Sequence, residues 1–215
     1  MLEVWGRRDS FNVQKVLWLA AELDLPVHHI PAGGEAGRLD DPHFAAMTPH
    51  RKVPVLRDGS VVVWESHAIL RYLAAAHGGP AWWSEDPAAR APIDGWLDWT
   101  ATRLQPDFLT GVFWGGYRTP EAERDAPRLA AAIAATTRNM ALLEAQIGAR
   151  PWLLGEAPTL ADIAIGTHSH RYFEMPLDRP DLPRLAAWYA RLCARPAYDT
   201  HVRVPFDHMA GRLAY

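Results

Sequence analysis

The periodicity of the apolar residues changes once along this chain, near residue 78, and this change limits the possible folds more than any other feature. Before it, short strand-like runs alternate with helical patterns; after it, only helical patterns occur. Alternating strands and helices favour a mixed α/β domain, and a succession of helices favours a bundle. A chain of 215 residues is long enough for both. The sequence therefore predicts an α/β domain over residues 1–78 and an all-helical domain over residues 88–215.

The order of elements in the first domain follows from the apolar pattern. Four runs have the length and composition of strands: Leu2–Trp5, Val27–Ile30, Val53–Leu56 and Val61–Trp64. Asp58-Gly59, between the last two runs, is typical of a tight hairpin turn. Helical spacing follows the first and the fourth run, at Val13, Val16, Leu17 and Ala20 and at Ile69, Tyr72, Leu73 and Ala76. The predicted order is β-α-β, a linker and β-β-α, with the first two strands parallel.

Helical patterns fill the second domain, with Gly and Pro at their junctions. The predicted helices include the apolar faces Ile93–Leu104 and Leu129–Ile147 and the segments Leu160–Phe173 and Leu182–Ala194. Thr159 and Asp162 have the spacing of a capping box, with Asp in place of the usual Glu or Gln. We therefore interpret Asp162 as a structural residue at the start of a helix, not as a catalytic carboxylate.

Charge and composition exclude several classes of partner. The formal net charge is −3 and is spread evenly, which argues against nucleic acid. No secretory signal is recognised at the N-terminus, and no uncharged stretch approaches the roughly 18 apolar residues of a membrane helix. The single cysteine, Cys193, excludes an internal disulfide and fits a reducing compartment. We expect a cytoplasmic protein without a membrane or nucleic-acid partner.

Ser10 lies between the first predicted strand and the helix that follows it. A serine at such a junction is commonly only the N-cap of the helix. Alternatively, its hydroxyl and the helix N-terminus face a bound anion. The residues around Ser10 do not by themselves decide between the two.

Pro54 and the pair Glu65-Ser66 lie at two further junctions. Pro54 marks the edge or the start of a strand, or forms a cis bond that turns the backbone of Val53 toward a peptide-like ligand. Glu65 and Ser66 precede a helix, which they cap, or they hold an α-amino-acid head group. In the second case Glu65 pairs with the ammonium, and Ser66 takes the carboxylate.

Taken together and in this order, three motifs resemble those of the cytosolic glutathione transferases. The chain is similar to that family over essentially its whole length. The motifs are S-x-N-V-x-K-V after the first strand, P-x-x-K-V-P-V-L, and E-S-x-A-I-L-x-Y-L. The resemblance implies a thioredoxin-like α/β N-terminal domain followed by an all-α domain, the architecture of glutathione transferases. Serine-type members, theta-like and bacterial, are the most similar group.

The resemblance also implies roles for individual residues. Val53, Glu65 and Ser66 match residues that hold glutathione, Lys52 matches one that contacts it in many members, and Pro54 matches a cis proline. Glutathione is then the co-substrate, and no metal is required. A homodimer is implied as well, in which the first domain of each subunit packs on the second domain of the other.

Ser10 matches the residue that activates glutathione in serine-type members. A thiol with a pKa near 8.5 is only about a few per cent thiolate at neutral pH, and lowering that pKa by about two units takes roughly 2.7 kcal/mol. A hydrogen bond to a charged acceptor supplies about 1.5–3 kcal/mol and a helix N-terminus about 0.3–1 kcal/mol. Ser10 is therefore predicted to stabilise the thiolate as a donor, and the amide of Asn12 is the alternative donor. Because residue 10 is not Cys, thiol–disulfide exchange is not expected as the main activity.

Several aromatic side chains are candidates to line a pocket for a hydrophobic electrophile between the domains. They are Phe11, Phe108, Phe113, Trp114 and Tyr117. Ordinary helix packing would explain the same residues. His168 and His170 are two residues apart on a predicted helix, so their side chains point apart, and no metal site is predicted.

The predicted function is transfer of glutathione thiolate to small hydrophobic electrophiles. One alternative is a non-catalytic glutathione transferase-like interaction or regulatory protein, against which the retained Ser10, Lys52, Glu65 and Ser66 argue. Another is a specialised glutathione-dependent isomerase or dehalogenase. The sequence does not separate this from general conjugation, because a fold does not decide the substrate.

Overall fold

The computed structural model describes residues 1–213, which divide into two compact units. The first unit comprises residues 1–87 together with residues 195–204. The second comprises residues 88–194 and continues from residue 205. Residues 195–204 thus group with the α/β unit, although the predicted helical domain, residues 88–215, includes them.

The first unit contains a four-stranded sheet with helices. Its elements are β1 (Leu2–Trp5), α1 (Phe11–Glu22), β2 (Val27–Ile30), α2 (Pro42–Met47), β3 (Val55–Asp58), β4 (Val61–Trp64), α3 (Ser66–His77), α4 (Gly79–Trp82) and, near the end of the chain, α9 (Pro196–His201). The strand order is β2-β1-β3-β4; β1 and β2 are parallel, and the other two pairings are antiparallel. The predicted β-α-β, linker, β-β-α order and the thioredoxin-like class are confirmed.

Three of the four predicted strands have the observed bounds, and the third begins two residues later than predicted. That strand starts at Val55, directly after Pro54, because a proline has no backbone N–H to donate to the ladder. The two hairpin strands pair Val55 with Trp64 and Asp58 with Val61. The turn that closes this hairpin is Gly59-Ser60, one residue later than the predicted Asp58-Gly59 pair, because Asp58 is still part of β3 and pairs with Val61. Gly59 has a positive φ of 59°, which suits the first position of such a turn.

Helix α1 forms the core of the first unit, since its residues from Val13 to Ala20 are all buried. Helix α9 covers part of it: the Trp18 and Tyr198 rings meet edge to face, with centroids 4.8 Å apart. The Glu22 carboxylate, at the end of α1, accepts hydrogen bonds from the indole of Trp18 and from the guanidinium of Arg195. These contacts explain why residues 195–204 group with the first unit.

The second unit is helical. Its elements are α5 (Pro87–Trp99), a π-helical segment (Thr100–Arg118), α6 (Ala126–Ile147), α7 (Leu160–Glu174) and α8 (Pro183–Cys193). These agree with the predicted helices, although Ile133 of the predicted apolar face on α6 is 38% exposed. Every residue of α7 from Leu160 to Tyr172 is buried, so this helix forms the centre of the unit. Within residues 1–213, none of the helices combines the length and the apolar character needed to cross a bilayer.

Candidate functional site

The sheet topology brings three of the predicted segments to one edge of the sheet, here the side on which β1 and β4 end and β3 begins. Strands β1 and β4 both run antiparallel to β3, so both end where β3 begins. At that edge Trp5 and Trp64 each pair with Val55. The chain leaves β1 toward Ser10, enters β3 through Val53-Pro54, and leaves β4 into Glu65-Ser66. The fold therefore gathers the residues that the three motifs carry, although they are far apart in sequence.

Ser10 occupies the N-cap position of α1, and its carbonyl accepts from the backbone N–H of Gln14 at 2.9 Å. Among the described residues, its hydroxyl makes no capping hydrogen bond to its own helix. The side chain is partly buried. The hydroxyl is therefore not engaged in the N-cap interaction that would otherwise explain a serine here.

The peptide bond between Val53 and Pro54 is cis, as the resemblance implies. Pro54 is buried, Val53 is partly buried and Lys52 is exposed. The Lys52 side chain thus lies at the surface beside a backbone segment that leads directly into β3.

Glu65 is the N-cap residue of α3 and has a φ of 68°, a left-handed conformation that residues other than glycine rarely adopt. Such strain persists where the surrounding structure holds it, commonly at functional sites. Ser66, the first residue of α3, is only 6% exposed, whereas Glu65 is exposed. The N-terminus of α3, with its unpaired N–H groups, is suited to a carboxylate, and the neighbouring Glu65 is suited to an ammonium group.

A partly buried polar network connects the two helix N-termini. The side-chain oxygen of Asn12, Oδ1, accepts from the ammonium nitrogen of Lys15 at 3.0 Å and from the Ser66 hydroxyl at 3.4 Å. Lys15 Nζ is also 3.0 Å from Nε2 of His67. Burial lowers the pKa of Lys15 to about 7, and the negative charge of Glu65 opposes that shift.

Sequence reasoning did not select Lys15 or His67, although both lie inside the quoted motifs. A signal for Lys15 was available: it stands three residues after Asn12, one helical turn away, between the apolar Val13 and Val16. The burial of residues 13–20, which removes the amine of Lys15 from solvent, could not be predicted from that pattern.

The predicted pocket residues are distributed over both units. Phe11 is buried in the first unit. In the second unit Phe108 and Phe113 are buried, while Trp114 and Tyr117 are partly buried. Tyr117 stacks on Phe113 with centroids 5.5 Å apart, and the Arg118 guanidinium lies 3.9 Å from the ring centroid of Trp114. Their part in an electrophile pocket stays a prediction.

The two histidines of α7 face different surroundings. His168 is fully buried, with Nδ1 3.1 Å from the Ala164 carbonyl oxygen, and His170 Nδ1 is 3.3 Å from the Tyr189 hydroxyl. Nowhere in residues 1–213 do three or more His, Cys, Asp or Glu side chains form a group suited to a metal ion.

A thioredoxin-like unit with a cis proline before β3, joined to a helical unit, defines the glutathione transferase class of fold. Residues 5–81 match the family model of the glutathione S-transferase N-terminal domain, and residues 122–191 match that of the C-terminal domain. The chain therefore belongs to the glutathione S-transferase family and is an enzyme of the transferase class.

Individual relatives agree with this placement. Glutathione S-transferase GstB of Escherichia coli strain K12 is 39% identical over 207 residues, which cover 95% of this chain and 99% of that protein. Glutathione S-transferase theta-1 of Rattus norvegicus is 35% identical over 167 residues, 73% of this chain and 67% of the rat protein. The glutathione-bound crystal structure of the theta class enzyme from Xanthomonas axonopodis pv. citri is 45% identical and superposes with a TM-score of 0.89, over 95% of this chain and 98% of that one.

Proposed function

We propose that this protein conjugates the thiolate of reduced glutathione to small hydrophobic electrophiles. The observation that carries the proposal is the meeting of Ser10, the cis bond at Pro54 and Ser66 at one edge of the sheet, beside two helix N-termini. An anionic, peptide-like co-substrate with an amino-acid head group suits that arrangement. Glutathione has these properties.

The head group of glutathione is assigned to Glu65 and Ser66. Glu65 pairs with the ammonium, while the backbone N–H of Ser66 and the N-terminus of α3 receive the carboxylate, since helix N-termini attract anions. The backbone of Val53, next to the cis proline, binds the peptide part of the ligand, and Lys52 contributes a surface cation. These roles come from the motifs, and the exposure of Glu65 and Lys52 supports their part.

The chemical step is assigned to Ser10. Its hydroxyl donates a hydrogen bond to the sulfur and favours the thiolate over the thiol, so that the sulfur is a nucleophile at neutral pH. The thiolate sulfur forms a bond to an electrophilic carbon. Either a leaving group departs from that carbon with the electron pair of its bond, or a conjugated double bond breaks and its other carbon takes a proton from water. Asn12 is the second candidate donor to the ligand.

The wider assignments are proposals of the same kind. Phe11, Phe108, Phe113, Trp114 and Tyr117 are proposed to line the electrophile pocket. The two-domain organisation, with bounds at residues 1–78 and 88–215, a homodimeric assembly and the cytoplasm as compartment complete the proposed function.

The test is binding of reduced glutathione by calorimetry, followed on the same sample by thiolate absorbance against pH. We expect saturable binding and a bound thiol pKa well below its usual value near 8.5. In Ser10→Ala, binding should largely survive, while the pKa of the bound thiol rises and kcat/KM falls roughly ten- to a hundredfold, the equivalent of about 1.5–3 kcal/mol.

Ser60→Ala is the matched control, because it removes the same hydroxyl from an exposed residue of the hairpin turn. It should leave both quantities unchanged. Binding with an unshifted thiol pKa would remove the activating role of Ser10 and leave a glutathione-binding protein. Absence of binding at millimolar glutathione would overturn the proposed enzyme activity.

A further inference from the structure

Lys15 is an ionisable side chain at a fully buried position of the first unit. It is fully buried in α1, and the partners at hydrogen-bonding distance from its ammonium nitrogen, Asn12 and His67, are neutral or titratable groups. A buried ammonium loses its hydration, and replacing such a group by a hydrophobic side chain is often neutral or stabilising. A reason other than stability is therefore needed for the charge at this position.

The geometry supplies that reason through Asn12. The amide of asparagine has an acceptor oxygen and a donor nitrogen that differ little in shape, so the side chain can be placed either way round. A lysine ammonium has three donors and no acceptor. Nζ of Lys15 lies 3.0 Å from Oδ1 of Asn12, so the charged amine faces the oxygen of the amide and not its nitrogen.

Ser66 favours the same orientation of the Asn12 amide. Its hydroxyl also donates to Oδ1 of Asn12, at 3.4 Å, from the N-terminus of α3. With two donors on the oxygen, the Asn12 nitrogen, Nδ2, is turned away from both of them. Asn12 is only partly buried, stands two residues after Ser10 and contacts Ser66, and both of these residues are assigned to glutathione.

His67 completes the arrangement. Its Nε2 lies 3.0 Å from Nζ of Lys15, so a charged Lys15 requires Nε2 to be the acceptor and the imidazole to be neutral. The amine is thereby held between α1 and α3, and its direction toward Asn12 is fixed by two helices.

We propose that Lys15 is a positioning residue, which holds the Asn12 amide so that Nδ2 donates a hydrogen bond to bound glutathione. This inference rests on the proposed function and adds to it a residue that does not touch the ligand. The bond to glutathione is made by Asn12; Lys15 acts through it.

A double-mutant cycle tests the proposal in the full-length chain, with kcat/KM for glutathione and a chromogenic aryl halide as the readout. Lys15→Met and Asn12→Ala are each expected to lower kcat/KM about tenfold, the size of one lost hydrogen bond to the ligand. The double variant should lose about tenfold as well, not a hundredfold, because both changes remove one interaction. Independent losses that multiply to about a hundredfold, or full activity of Lys15→Met, would overturn the proposal.

The matched control is Gln14→Met, which places the same side chain at the neighbouring buried polar position of α1. Its kcat/KM should equal that of the unchanged protein. A loss as large as that of Lys15→Met would show that altered packing of α1 is the cause, and would overturn the positioning role.

A second measurement does not depend on activity. The chain has two lysines, Lys15 and Lys52, among its 22 Lys and Arg residues. Labelling with ¹³C-lysine therefore gives two side-chain signals, which Lys52→Arg assigns. The chemical shift of Lys15 should differ between Asn12→Ala and the unchanged protein. In the unchanged protein it should also change when glutathione is added.

The possible failures are distinguishable. A Lys15 signal that is the same in Asn12→Ala as in the unchanged protein would overturn the contact on which the inference depends, whether or not the enzyme is active. If the unchanged protein bound no glutathione, the proposed function and the ligand half of the inference would both fail. Normal binding and turnover in Lys15→Met would overturn the inference alone.

Discussion

At the scale of one residue, burying Lys15 lowers the free energy of unfolding at neutral pH. Burial lowers the pKa of its amine from 10.5 to about 7. Between those values the unfolded chain binds a proton that the folded protein does not, so this group makes stability rise with pH from about 7 to 10.5. At neutral pH the protein carries most of the penalty.

We therefore expect the free energy of unfolding to increase between pH 7 and pH 9 in the unchanged protein. In Lys15→Met that increase should be largely absent, and the variant should be more stable at pH 7 by an amount of the order of a few kcal/mol. Urea denaturation at several pH values measures both. Gln14→Met should retain the rise, and an equal slope in Lys15→Met would contradict the buried-charge interpretation.

Helix α7 illustrates how an element is fixed by its first turn. The predicted capping box is confirmed: the Asp162 carboxylate accepts from the Thr159 backbone N–H at 2.9 Å. It also accepts from the backbone N–H of Leu153 at 3.0 Å and from the indole of Trp188 at 2.8 Å. One buried carboxylate thus joins α7 to the segment before it and to α8. Burial raises the pKa of Asp162, and these hydrogen bonds oppose that shift.

Asp162→Ala is expected to destabilise the protein by about 3–5 kcal/mol, because it leaves several buried donors without their acceptor. Asp125 offers a matched comparison: it caps α6 through the backbone N–H of Arg128 at 3.0 Å, but it is exposed. Asp125→Ala should cost about 1 kcal/mol. Chemical denaturation of both variants measures the difference, and similar losses would contradict the special role of Asp162.

At the scale of the whole molecule, each unit presents an apolar surface. In the first unit, the edge strand β4 leaves Val61, Val62 and Trp64 exposed by 43%, 38% and 37%. In the second, a groove of about 540 Å³ is lined by residues that include Trp96, Trp99 and Leu142. Exposed apolar edge strands and apolar grooves are typical of interaction surfaces. They support the proposed homodimer.

Sedimentation at micromolar concentration should give about twice the 24.0 kDa of the chain. Val62→Glu should shift the protein toward the monomer, since a charge would be buried in the interface. Ile133→Glu, at an equally exposed apolar position of α6, should leave the dimer intact. A monomeric unchanged protein would refute the proposed assembly.

Local patterns in the sequence were sufficient for much of the fold. The hairpin signalled by Asp58-Gly59 and the Thr159–Asp162 cap each depend on residues close together in the chain, and the structure contains both the hairpin and the cap. Ser10, Pro54, Glu65 and Ser66 were selected because their motifs are short and contiguous. Periodicity identifies a buried stripe, and a motif identifies a junction, without any knowledge of what lies opposite.

Tertiary structure alone decided which distant groups meet. Lys15 contacts His67, 52 residues later; Asp162 reaches Trp188; and residues 195–204 return to the first unit. None of these has a sequence signal, because a helical stripe specifies that a face is covered but not by which element or how deeply. The sequence by itself determined the elements and the candidate ligand residues. The depth of burial and the partners, which set the charge of Lys15 and the direction of Asn12, arise only when the helices and the sheet pack together.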